Sequence, residues 1–141
     1  KFHTLRKLFA EKMILTFIAS KEKTAVKGDK GEEVLPNMGL GEIRQDDYDA
    51  VIFIGGSYQY SEDPVAHRIV REYVAHRRII GALDKSVLTL VKAGVLKSEN
   101  AVETEGSIIT GNGKSINEFG ESIVAAIERA EYIVETKNWR V

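Results

Sequence analysis

Two short runs constrain this chain more than anything else in it. Ala50–Ile54 and Arg78–Leu83 are apolar at nearly every position, with no alternation between polar and apolar residues. A strand reads that way when both of its faces are covered, as in a parallel sheet clothed by helices above and below. Amphipathic segments stand where such covers are needed. Lys1–Lys12 carries Phe2, Leu5, Leu8 and Phe9 on one face, the helical period. Asp63-Pro64 is a helix start, an N-cap acid followed by proline in the first turn, with Val65, Ile69, Val70, Tyr73 and Val74 as the buried stripe. A helix from about Ser86 to Ala93 ends at Gly94, a good residue for the position after a helix. The last helix opens on Ser115-Ile116-Asn117-Glu118, a capping-box pattern, and continues with Phe119, Ile123, Val124 and Ile127 at helical spacing.

Shorter elements fill the intervals. Met13–Ser20 is a strand-like run; Lys21–Glu33 is charged and glycine-containing, which predicts a solvated loop or hairpin. Val34–Gly41 holds Pro36 and two glycines, which suits a short edge strand and a turn. Ala101-Val102 and Ser107–Thr110 are strand candidates, and Trp139 is placed in a tail beyond the last helix, docked on the surface or on a partner. Strand and helix therefore alternate, which predicts one α/β domain: a three-layer, doubly wound, mostly parallel sheet with right-handed crossovers. In such sheets ligands sit beyond the carboxyl ends of the strands. That directs attention to Gly55–Glu62, Asp84–Ser86 and Gly111–Ser115.

Bulk composition narrows the partners. With 141 residues, 43% of them hydrophobic and 29% charged, the chain has the makings of one compact core. Its 20 basic and 21 acidic residues leave a net charge of −1, so no global field draws nucleic acid or an anionic membrane. The apolar runs are strand-length, far short of a membrane span. There is no cysteine, hence no disulfide, thiolate metal site or cysteine nucleophile in these residues; a cytoplasmic location is expected.

Four segments, read in order, resemble the ThiJ/PfpI superfamily, the PfpI-type, class I glutamine amidotransferase-like proteins. Asp47-Tyr48-Asp49-Ala50-Val51-Ile52-Phe53-Ile54-Gly55-Gly56 is similar to the family's strand-and-turn motif DYDALVIPGG. Ile79-Ile80-Gly81-Ala82-Leu83, followed by Lys92-Ala93-Gly94-Val95-Leu96-Lys97, resembles its nucleophile-elbow strand and the helix behind it. Gly106-Ser107-Ile108-Ile109-Thr110-Gly111-Asn112-Gly113 matches DGNIITGNG, and Glu118-Phe119-Gly120 fits the closing EFGxAIVE. The resemblance implies the flavodoxin-like fold, no cofactor, and a homodimer or higher homo-oligomer. It also implies that the family's catalytic cysteine falls on Asp84 and the residue after it on Lys85. The family's first strand, followed by a catalytic Glu, would precede Lys1. A further helix and strand would lie between Thr104 and Glu105, and a shorter gap falls near Lys12-Met13.

The residues themselves allow more than one chemistry. A carboxylate at Asp84, on the turn between strand and helix, could serve as nucleophile or base; the plainer role is to cap the helix that follows. Gly55 and Gly56 would, by resemblance, offer backbone N–H groups to an oxyanion, though a tight turn alone calls for glycine. Lys85, together with Ser57, could line the same anion pocket. Tyr58, Gly111, Asn112 and Gly113 are pocket-lining candidates, and Tyr58 and Tyr60 also suit a subunit contact. Gly113-Lys114-Ser115 imitates the end of a phosphate loop, but the motif's first glycine would fall on Ile108. His3, His67 and His76 all fall on helices, with no triad apparent, and no His or carboxylate cluster has metal-ligand spacing. The expectation is a ThiJ/PfpI-like protein without thiol peptidase or glyoxalase chemistry, a binding or structural homologue with a possible small-molecule ligand. The alternatives are a hydrolase or lyase using Asp84, and a nucleotide binder using Gly111–Ser115.

Overall fold

The computed structural model describes residues 2–21, 26–27, 33–44, 47–54, 60–97, 108–112 and 115–139. Chain order is α1 (Phe2–Glu11), β1 (Ala19–Ser20), β2 (Val26–Lys27), β3 (Glu33–Val34), β4 (Met38–Gly39), β5 (Ala50–Phe53), α2 (Pro64–Ala75), β6 (Ile79–Leu83), α3 (Val87–Lys92), β7 (Ile108–Gly111) and α4 (Ile116–Trp139). Strands β5, β6 and β7 form a parallel sheet in the order β5-β6-β7, and β1 pairs in parallel with β4. The only antiparallel pair among the described residues is β2 with β3, the hairpin of the charged segment.

Alternation along β6 builds the layers. Ile80 and Ala82 face a core shared with Ala66, Ile69, Val70 and Tyr73 of α2 and with Val87 and Leu90 of α3. Ile79 and Leu83 face the opposite core, with Leu5 and Phe9 of α1 and Phe119, Ile123, Val124 and Ile127 of α4. Helices therefore cover both faces, as the unbroken apolar runs require, and the α/β doubly wound fold is established. Gly81 permits the close approach on the α4 side: a Cβ there would lie 2.8 Å from Ile123 Cδ1 and 3.0 Å from Phe119 Cζ. Gly120 does the same between α4 and α1, where a Cβ would collide with Leu8. On the other face, the buried Tyr73 hydroxyl donates to the Arg44 carbonyl at 2.7 Å. Burial, then the charges of Asp47 and Tyr48, push its pKa up to about 12, so the phenol remains a donor.

Several boundaries differ from the sequence expectation. Among the described residues β6 is the middle strand of the three-stranded sheet and β5 flanks it; β6 is buried at all five positions whereas β5 is buried only at Phe53. Of Met13–Ser20, only Ala19–Ser20 joins a ladder. Met13 turns out of α1 with φ +60°, and nothing among the described residues pairs with Leu15–Phe17. Helix α3 is preceded by a 3-10 turn, Asp84–Ser86, and ends as expected at Gly94, with φ +87°. Strand β7 runs to Gly111, and α4 runs 24 residues to Trp139, so Trp139 ends a helix rather than lying in a tail. Ala101-Val102 and the Thr104-Glu105 junction fall outside the described residues. No helix among the described residues is long and apolar enough to cross a membrane.

Candidate functional site

The turn after β6 is the most constrained point on the rim of the sheet. Leu83 is fully buried before it, and Ser86 and Val87 are buried after it. The chain must therefore rise out of the core and return within Asp84 and Lys85. Asp84 makes the reversal with φ +51°, the left-handed region that a non-glycine residue enters at a cost of about 1–2 kcal/mol. Aspartate is among the residues that tolerate it best. Asp84 is half-buried at the crest and Lys85 is exposed beside it.

Register fixes what lies level with that crest. Leu83 pairs with Gly111 and Ala82 with Phe53. Asp84 and Asn112 are the residues that directly follow the paired Leu83 and Gly111 at the ends of β6 and β7. Asn112 is exposed, and its carbonyl accepts from Ser115 N at 3.1 Å, closing the turn into α4. Gly111 packs against Phe119, whose Cδ1 would lie 2.9 Å from a Cβ at that position. Asp84, Lys85, Gly111 and Asn112 thus share the carboxyl edge of the sheet. Gly55, Gly56, Ser57, Tyr58 and Gly113 lie outside the described residues.

The N-cap of the 3-10 turn is Leu83, that of α3 is Ser86, and neither makes a side-chain capping bond. Asp84 sits between them in a backbone conformation unlike the extended one of an N-cap. The histidines are held elsewhere. His67 Nε2 is 2.7 Å from the Ser61 carbonyl and His76 Nδ1 is 2.8 Å from that of Glu72, and His3 lies exposed on α1. Ile108 is a buried residue of β7, so the position where a phosphate loop requires glycine is inside the sheet. Among the described residues no group of three His, Cys, Asp or Glu side chains could hold a metal ion.

Sequence reasoning missed a second polar group on the segment leading into α2. Asp63 is the N-cap as expected, accepting from Val65 N at 2.8 Å and Ala66 N at 3.2 Å. It also pairs with Lys21 Nζ at 3.0 Å, while the Lys21 amide donates to the Tyr60 hydroxyl at 3.0 Å. Lys21 thereby ties the end of β1 to the start of α2. Burial alone would raise the Asp63 carboxyl; hydrogen bonds from Lys21, Ala66 and Val65 and the Lys21 charge outweigh it and hold the pKa below its ordinary value. The capping signal was legible at Asp63-Pro64, but nothing local in the sequence announces a partner so far upstream.

Residues 2–105 match the DJ-1/PfpI family. The chain belongs to the DJ-1/PfpI family. No curated protein matches it in sequence. Among solved structures, a ThiJ/PfpI domain protein from Brachyspira murdochii superposes with a TM-score of 0.82 at 18% identity, covering 91% of this chain and 88% of that one. A two-domain protein from Anabaena variabilis with DJ-1/ThiJ/PfpI-like and ferritin-like domains gives 0.79 at 15% identity, over 88% of this chain and 43% of that chain. Drosophila melanogaster DJ-1beta gives 0.69 at 21% identity, over 93% and 81%. At these identities the likeness is one of fold, and it agrees with the doubly wound DJ-1/PfpI arrangement built above from burial and register.

Proposed function

We propose that this DJ-1/PfpI protein binds a small polar ligand at the rim beside Asp84 and does no thiol peptidase or glyoxalase chemistry. The observation that carries the reading is the left-handed backbone of Asp84 at the strand-to-helix turn. Strained, non-glycine conformations persist where the surrounding structure over-determines them, and they gather at functional sites. By resemblance this is the turn on which relatives carry their cysteine, and these residues contain no thiol. What remains is a half-buried carboxylate with an exposed lysine beside it and a neighbouring strand end carrying Asn112. Such a set can accept and donate hydrogen bonds to a small ligand without supplying a thiolate.

The same geometry favours a second reading, a hydrolase or lyase in which Asp84 is nucleophile or base. A sharp strand-to-helix turn with the key residue at its crest is how a nucleophile elbow exposes its side chain. That reading requires an activating partner within hydrogen-bond reach of Asp84; His67 and His76 are bonded to the Ser61 and Glu72 carbonyls.

One experiment separates the two. The purified chain is assayed with methylglyoxal and a fluorogenic peptide, and a panel of small polar metabolites is screened by thermal shift, with Asp84→Asn in parallel. Binding predicts no turnover above the buffer rate, together with a ligand-dependent shift that Asp84→Asn removes. Turnover abolished by Asp84→Asn would put carboxylate catalysis in its place. Ligand shifts indifferent to the substitution would remove the site.

A further inference from the structure

Helices α1 and α4 cover one face of the sheet together, and their outer surfaces carry opposite charge. Exposed on α1 are Arg6 and Lys7, with Lys12 just beyond its end and Glu11 as the single acid. Exposed on α4 are Glu118, Glu121 and Glu128, with Arg129 as the single base as far as residue 130. Residues three or seven apart share one side of a helix, so the three glutamates form a single acidic stripe. The Arg6 guanidinium lies 5.8 Å from the centre of the Phe2 ring, a cation–π contact that steadies it on its own helix.

The two helices run in the same direction. Lys21, directly after β1, is bonded to Tyr60 and Asp63, which follow β5, so β1 and β5 end at one edge. Strand β7 is parallel to β5 through β6. Helix α1 leads into β1 and α4 leaves β7, so each runs from that edge back to the other. Leu5 and Leu8 both lie against Gly120, which sets the level: Arg6 and Lys7 are level with Glu121. Glu118 is one turn before, and Lys12 lies toward Glu128. Opposite charges thus stand level on neighbouring helices without meeting. Among the described residues no ion pair joins Arg6 or Lys7 to Glu118 or Glu121.

We propose that this layer docks a second copy of the chain, face to face, about a two-fold axis running along the groove between α1 and α4. That operation lays α1 of each copy on α4 of the other at the same level, basic residues on the acidic stripe. Each contact is then made twice, and the assembly closes as a dimer. An axis across the helices would instead set α1 on α1 and α4 on α4, like charge on like. A partner of one sign, such as a nucleic acid or an anionic membrane, would meet the acidic stripe beside the basic residues and be repelled by it. Exposed ion pairs are weak singly and are screened by salt, so this dimer is a salt-sensitive one.

Sedimentation equilibrium of the whole chain, in about 20 mM and about 500 mM salt, reads the association. The interface predicts a dimer in low salt whose dissociation constant rises roughly tenfold or more in high salt. Arg6→Glu with Lys7→Glu makes both surfaces acidic, and Glu118→Lys with Glu121→Lys makes both basic. Each doubly substituted chain alone should associate roughly tenfold or more weakly, and an equimolar mixture of the two should recover the dimer. All four side chains are exposed, and far-UV circular dichroism confirms that the fold is kept. A chain that stays monomeric in low salt up to millimolar concentration overturns the proposal. A dimer indifferent to both double substitutions uses another face and equally overturns it. Weakening by both without recovery on mixing would mean that α1 does not meet α4 across the contact, and would overturn it as well.

Discussion

Strand β6 and the Met13–Ser20 run look alike as sequences, two apolar stretches of strand length, and they end in opposite conditions. β6 has a strand on each side and helices on each face, and all five of its residues are buried. Among the described residues the Met13–Ser20 run has one strand partner, β4, along its last residues, and Leu15 and Phe17 are largely exposed. Apolar composition states what a segment is able to do; its neighbours decide whether it does so. The closed strand is also the one that carries a strained turn at its end. Asp84 stays left-handed because Leu83 before it and Val87 after it are anchored in opposite cores.

That contrast is broken most directly by truncating one residue in each strand. Leu83→Ala empties a fully buried position and is expected to cost about 3–4 kcal/mol. Leu15→Ala, at 84% exposure, should change stability by less than about 0.5 kcal/mol. Urea unfolding of both variants measures the difference; equal losses would mean that Leu15 is covered in solution.

A smaller effect tests how tightly the closed side is built. Gly81→Ala adds a methyl group 2.8 Å from Ile123 Cδ1, and Ile123 must give way for an expected loss of about 1–2 kcal/mol. Ile123→Val beside it should recover part of that loss, since neighbouring sites that share a contact do not add.

The alternation of Ala50–Ile54 and Arg78–Leu83 with amphipathic stripes was enough to read the layers, because a strand covered on both faces leaves that imprint in its residues. It could not say which strand is central, since sheet order is set by crossovers and not by composition. Asp84 was legible as the residue on the turn, but not as left-handed, since aspartate suits a cap and a left-handed turn equally. The Lys21–Asp63 pair was not legible at all, being a contact between two segments whose proximity only the fold creates.

Asp63 gives an effect of about 1 kcal/mol with a definite sign in pH. Its folded pKa lies below its ordinary value, so its contribution is present above the unfolded carboxylate pKa and is lost as pH falls through the folded one. Asp63→Asn keeps a capping oxygen but loses the charge beside Lys21. The parent should therefore exceed the variant by about 1 kcal/mol near neutral pH. The gap should close below about pH 4, as measured by urea unfolding across pH. A gap that widened in acid would mean that the carboxyl is held protonated and the pair with Lys21 does not form.

The smallest effect falls at the crest itself, and its sign is the informative part. Asp84→Gly removes a left-handed cost of about 1 kcal/mol or slightly more and adds unfolded-state freedom worth about 0.5–1 kcal/mol. The net change should lie between zero and about 0.5 kcal/mol in favour of the variant, while the ligand-dependent thermal shift assigned to the carboxylate disappears. Stability held or gained while binding is lost marks a residue kept for what it meets in solution. A loss above about 1 kcal/mol would instead make the carboxylate the fastener of its own turn, and β6 would then end in a structural clasp.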